Sequence, residues 1–155
     1  TSKEAGGPGM SDTTINYREV FRTTPGAMAL LTPDGVILDV NYEYEEVSGR
    51  SREQLLGRNL FDAFPRNPDD PSEMGPIQLK ASFDVVLETG ERDIIMPVRY
   101  DVEDPGRPGN FEERYWAVVN TPLYDQDGRL VIITHRAEEV THIVNQGRIL
   151  RADQG

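Results

Sequence analysis

The sequence contains no cysteine, which removes disulfides, thiolate metal sites and cysteine nucleophiles together. Histidine is nearly as scarce. The two present, His135 and His142, have no second histidine or cysteine at ligand spacing, so no metal site is expected. Basic residues are outnumbered: 16 Lys and Arg against 27 Asp and Glu give a formal net charge of -11. A surface that acidic repels phosphate backbones and anionic lipid, so nucleic acid and membrane surfaces are not expected partners. No apolar run approaches the ~20 residues of a membrane span, and the first ten residues hold no apolar core of a signal peptide. A cytoplasmic location fits these absences. Also missing are a glycine-rich phosphate loop, a G-x-S-x-G elbow and any zinc spacing.

What is present, 155 residues with 37% hydrophobic, suits one domain with a real core. Residues 1–11, TSKEAGGPGMS, read as a flexible tail or a remnant of expression. Residues 12–22 have an incomplete apolar stripe (Ile15, Tyr17, Val20, Phe21) with Asp12 as N-cap, which predicts a helix stopped by Thr24-Pro25-Gly26. AMALL and VILDV flank Thr32-Pro33-Asp34-Gly35, a turn in which proline presets one central position and glycine takes the positive-φ one. Residues 27–40 are therefore a predicted hairpin. Asn41 caps YEYEEVSG, Ser51 with Gln54 has capping-box spacing, and Asn59 opens the single turn NLFDAF before Pro65. Three helices this short need packing to hold them. After a loop with four prolines, Ile77 to Thr89 reads as a longer helix with Leu79, Phe83, Val86 and Leu87 on one face, ended by Gly90. Asp93–Val102, Phe111–Tyr124 and Leu130–Ala137 are β-branched and aromatic and read as three strands. The order predicts an α+β domain: one five-stranded antiparallel sheet, with short helices and one longer helix on one face.

These segments carry a resemblance. DVN at 39–41, EVSG at 46–49, SREQLLGRN at 51–59, FDAFP at 61–65 and Glu139-Val140-Thr141 occur in the order and spacing of a PAS domain, over about residues 17–142. RYDV, FEERYW and HRAEEVT are similar to PAS domains at the front of bacterial sensor histidine kinases and related signalling proteins. The resemblance implies a sensory or regulatory module at 12–140 with no catalytic residues of its own, a homodimer, and a covalently linked effector. Residues 141–155 would begin the helical linker to that effector, and Glu139 and Thr141 would hand the signal over. The chain departs from several relatives. Without cysteine, flavin-adduct chemistry and thioester-held p-coumaric acid are excluded. Residues 77–89 hold no histidine, which argues against haem ligated from the long helix. Non-covalent flavin stays open, and the cofactor is not identified.

The inner sheet face is the natural pocket wall. Alternation places Arg114, Trp116, Val118 and Asn120 on one face of the fourth strand, expected to be internal. The third strand offers Ile94, Met96, Val98 and Tyr100 against Ile95, Pro97 and Arg99. On the fifth, Val131, Ile133 and His135 oppose Ile132, Thr134 and Arg136, and alternation does not say which set is internal. Tyr44, Phe83, Met96, Trp116, Asn120 and His135 are the pocket-wall candidates. The apolar ones would line a cavity, and Tyr44, Asn120 or His135 would orient a ligand. Against this stands plain core filling by the same side chains. His142 lacks the histidine-glutamate start and the following proline of a phosphoacceptor box, which leaves a surface helix residue. Asp125-Gln126-Asp127-Gly128 resembles part of a calcium loop, but Leu123 and Thr134 stand where acids are required, so a tight hairpin turn is expected. Asp69, Asp70 and Glu73 read as a solvated loop. Three functions compete: a ligand-sensing module, a ligand-free dimerisation and relay module, and an enzyme of another small α+β fold. The last would need a buried acid, whereas Asp93, Asp101, Glu112 and Glu113 lie near strand ends where water is expected to reach them.

Overall fold

The computed structural model describes residues 14–154. Helix α1 (Tyr17–Thr23) starts later than its stripe suggested, because Asn16 is the cap: its side chain accepts the Glu19 N–H at 3.1 Å. Asp12, the expected cap, lies outside the described residues. Strands β1 (Ala27–Leu31) and β2 (Ile37–Val40) form the predicted hairpin. Its turn closes through the Gly35 N–H on the Thr32 carbonyl at 2.9 Å, with Gly35 at φ +91°.

Helices α2 (Tyr42–Ser48), α3 (Arg52–Leu55) and α4 (Leu60–Ala63) carry the expected caps. Asn41 accepts from Tyr44, Ser51 and Gln54 form a complete capping box, and Asn59 accepts from Phe61. Helix α5 (Gly75–Thr89) begins two residues ahead of Ile77, since Pro76 needs no N–H partner in a first turn. Leu79, Phe83 and Val86 of its apolar stripe are buried, but Leu87 is 42% exposed.

Two expected long strands are each divided. Asp93–Val102 splits into β3 (Asp93–Arg99) and β4 (Val102–Glu103), and Phe111–Tyr124 into β5 (Phe111–Glu112) and β6 (Tyr115–Tyr124). Tyr100 and Asp101 turn into the core at the break, and β4 and β5 leave as a separate two-stranded ribbon. Strand β7 (Leu130–Glu139) leads into α6 (Thr141–Gln154). The main sheet has the order β2-β1-β7-β6-β3, with every pair antiparallel. Helices α2 to α5 supply Tyr44, Leu55, Leu60, Leu79, Phe83 and Val86 to a core they share with Ala29, Leu31, Val98, Trp116, Val118 and Ile133 of the sheet.

Simple alternation fails on β3. Ile95 faces Val118 and Val98 faces Trp116, so three steps along β3 match two along β6. The extra residue of this bulge falls at Met96-Pro97, where proline has no N–H to lose from the ladder. Ile95 and Val98 therefore both point inward, while Ile94 and Met96 are 61% and 65% exposed. Met96 is thus corrected from a pocket-wall residue to a surface one.

Candidate functional site

The site is assembled by a wholly buried asparagine. Asn41 Oδ1 accepts the N–H groups of Tyr44 (3.0 Å) and Met28 (2.9 Å), and Nδ2 donates to the carbonyls of Thr24 (3.1 Å) and Gly26 (2.7 Å). One side chain both caps α2 and locks its start to β1. That fixes Tyr44, one turn into α2, over the inner face of the sheet. Across from it the even-numbered positions of β6 (Trp116, Val118, Asn120) point inward, as expected. On β7 the structure resolves the open choice of face: Ile133, His135 and Ala137 are internal.

Between these elements lies a cavity of about 60 Å³, walled by α2, α4, α5 and the sheet. Tyr44, Trp116 and His135 reach it, with Leu79, Val98 and Val118 among the apolar walls. Phe83 and Asn120 are buried one layer behind it, supporting His135: the Phe83 ring meets the imidazole edge-on at 5.8 Å, and Asn120 holds it. Trp116 Nε1 is already used, donating to the Tyr100 carbonyl at 2.9 Å. Tyr100 donates its hydroxyl to the Phe64 carbonyl.

No charged side chain lines this cavity. Asn120 Nδ2 donates to Ser82 Oγ at 2.9 Å, leaving its carbonyl oxygen for His135 Nδ1 at 2.7 Å. Only an N–H can meet that oxygen, so Nδ1 carries the proton and Nε2 is left as an acceptor. Burial pushes His135 down to about 4, which keeps the ring neutral near pH 7. Burial likewise raises the Tyr44 phenol well above its ordinary value. The Tyr44 and His135 rings stand edge to face with centroids 6.2 Å apart.

The buried acids were not anticipated. Glu73 and Asp101, expected in water, are 0% and 2% exposed. Asp101 is gripped by Arg99 through Nε (2.9 Å) and Nη2 (2.8 Å) and by Asn67 Nδ2 (2.8 Å). Glu73 accepts the N–H groups of Gly75 (2.7 Å) and Asn67 (3.3 Å), and desolvation raises its pKa. Asp70, also expected to be a free loop acid, pairs with Arg99 at 2.8 Å. Gly75 allows the close approach, since a Cβ there would sit 2.4 Å from the Arg99 carbonyl. This network fastens the proline-rich loop to the end of β3. Neither buried acid lines the cavity, so the carboxylate that an enzyme of another fold would require is engaged elsewhere. Spacing held one signal for it, Arg99 and Asp101 two apart on a strand.

At the C-terminal end, Thr141 Oγ1 donates to Glu139 (2.9 Å) and accepts the Tyr115 N–H (3.0 Å). Arg114 stands 3.8 Å from Glu139, and Arg148 of α6 pairs with Glu113 at 3.2 Å. The two handover candidates thus lie where α6 leaves the sheet. His142 is exposed on α6. The Asp125 carboxylate is spent on its own turn, accepting the N–H groups of Asp127 (2.8 Å) and Arg129 (2.9 Å). Among the described residues no group of three or more acids or histidines is placed to hold a metal ion.

Comparison with known proteins agrees with this architecture. A PAS domain of a protein from Colwellia psychrerythraea superposes with TM-score 0.63 at 17% identity, covering 81% of this chain and 95% of that one. A sensory box sensor histidine kinase from Vibrio cholerae gives 0.54 at 20% identity, covering 85% and 94%. An RNA-binding Light-Oxygen-Voltage receptor gives 0.67 at 17% identity over 96% of this chain and 39% of that one. No curated protein sequence matches. The family model for the PAS fold matches residues 15–137, and with this strand order and these capped helices the chain belongs to the PAS family.

Proposed function

We propose that this PAS domain is the sensory and regulatory module of a longer signal-transduction protein, of the sensor histidine kinase kind, and that it receives a small molecule in its core. The observation that carries the reading is the cavity beside Trp116: an uncharged space against which two buried side chains, Tyr44 and His135, bring polar atoms. In this reading residues 12–140 form the sensor, α6 begins the linker to an effector, and Glu139 with Thr141 passes the state of the sheet to it. Likeness to the Vibrio cholerae sensor kinase supports the signalling context. The large PAS cofactors do not fit. About 60 Å³ is far below the roughly 300 Å³ at which ordinary ligand sites begin. The chain also lacks the adduct cysteine, and α5 lacks a histidine.

A second reading has its own observation. Helix α1 buries none of its residues, and Ile15, Tyr17 and Val20 are 48%, 72% and 53% exposed. A ligand-free dimerisation and relay module would cover that stripe with a second copy. Native mass spectrometry separates the two. A released small molecule, with dimerisation unchanged by its removal, supports sensing. A guest-free dimer that dissociates when Tyr17 and Val20 are changed to Ser supports relay alone.

A further inference from the structure

The two polar groups at the cavity define what it takes, granted the reading above that the cavity receives a ligand. Tyr44 and His135 are 5% and 4% exposed. Among the described residues the Tyr44 hydroxyl makes no hydrogen bond, and neither does His135 Nε2. Both side chains border the cavity, so a guest is what these two free polar atoms can meet. The neighbouring polar groups are engaged: Trp116 Nε1, the Tyr100 hydroxyl, Asn120 and Ser82 all have partners, and the buried Arg114 Nε, which has none, is not part of the cavity lining. The Ser82–Asn120–His135 chain, anchored on α5, sets the imidazole so that Nε2 is an acceptor and stays so. Arg50 is not part of the lining: it donates to the Ser48 and Glu103 carbonyls and stacks on Phe64 at 4.9 Å. An anion would enter with no counter-charge, and a cation would meet only a phenol and a neutral ring, so both face an uncompensated desolvation cost.

We propose that the ligand is a small neutral molecule carrying a hydrogen-bond donor beside an acceptor, the donor meeting His135 Nε2 and the acceptor taking the Tyr44 hydroxyl proton. Its remaining atoms lie against Leu79, Val98, Val118 and Trp116. Compact azoles and small hydroxy-carbonyl compounds belong to this class, and carboxylates and ammonium ions do not. The cavity of about 60 Å³ is well below the roughly 150 Å³ that holds benzene, so the class is confined to molecules smaller than benzene, and a five-membered ring enters only as the apolar walls give way.

The test uses the purified 155-residue chain and three probes: pyrazole, with adjacent N–H and N; thiophene, the same ring size without donors; and propionate, an anion. Trp116 is the only tryptophan, so its fluorescence reports the cavity directly. Pyrazole is expected to bind at least about tenfold more tightly than thiophene, with no response to propionate. His135→Phe and Tyr44→Phe should each remove about tenfold of pyrazole affinity and leave thiophene unchanged. Tyr44→Phe keeps the test alive if His135→Phe does not fold. Nitrogen-15 spectra of the wild-type chain should show His135 Nε2 unprotonated. If thiophene binds as well as pyrazole, or propionate competes, the cavity is a ligand site but the neutral donor–acceptor class is wrong. If no probe binds and native mass spectrometry finds no guest, the class and the sensing reading fall together.

Discussion

Replacing Arg99 by Met should destabilise the domain more than replacing the acid it serves. Arg99 makes two of the three hydrogen bonds on Asp101, at 2.9 and 2.8 Å, and Asn67 makes the third at 2.8 Å. The Asp101 side chain is 1% exposed and that of Arg99 22%. In Arg99→Met the carboxylate is stranded in the interior with one donor, a situation that costs about 3–5 kcal/mol. The partly exposed Asp70 pair adds no more than about 1 kcal/mol. We expect about 3–6 kcal/mol, or a fall in Tm of about 2–4 °C for each kcal/mol. In Asp101→Asn the stranded group is the arginine, which reaches water and keeps Asp70, so about 1–2 kcal/mol is expected. The diagnostic case is the pair of changes made together. With Met at 99, an amide at 101 carries no charge and still accepts from Asn67, so adding Asp101→Asn to Arg99→Met should recover stability. Urea denaturation of the four proteins at pH 7 measures all of this. A cost below about 1 kcal/mol for Arg99→Met, or a combined variant less stable than Arg99→Met alone, would refute the assignment of Asp101 as a buried charge dependent on Arg99.

Two further outcomes follow from the site. His135 has a folded pKa of about 4 against an ordinary 6.5, so the unfolded chain binds the extra proton between those values. Stability is full above pH 6.5 and is lost as pH falls through 4, by about 3 kcal/mol at most; His135→Phe should flatten that part of the acid limb in pH-dependent urea melts. Asn41→Asp keeps both acceptor contacts but faces the Thr24 and Gly26 carbonyls without donors, so it should lower stability by about 2–4 kcal/mol, measurably more than a cap lost from an exposed helix; a cost no greater than an ordinary exposed cap would show that the donations to Thr24 and Gly26 contribute nothing.

The fold was legible where local chemistry decides it. Turn residues at 32–35, the Asn41, Ser51 and Asn59 caps and the αL glycines at 49 and 90 act within a few residues of themselves, and the structure holds them as read. Alternation worked on β6, whose register with β7 runs unbroken through Trp116, Val118 and Asn120. It failed on β3, because a bulge is a property of a strand pair and one sequence does not contain its partner's spacing. The same holds for β7, where only packing against α2 and α5 selects the His135 face.

The buried acids show a different limit. Carboxylates between prolines or beside a loop have a strong prior for water, and Glu73 and Asp101 overturn it only because Arg99, Asn67 and two backbone N–H groups arrive from separate parts of the chain. No window of sequence contains that convergence. It also bears on the cavity. The charges that enter this interior are held outside the lining of the Tyr44–His135 space: Asp101 is paired with Arg99, Glu73 accepts backbone N–H groups, and Arg50 donates to the carbonyls of Ser48 and Glu103. An acidic chain thereby keeps a core chamber without net charge. The selectivity of that chamber then rests on hydrogen-bond polarity, set by Ser82 and Asn120 through one imidazole, and the surface charge of -11 acts only on what approaches from outside.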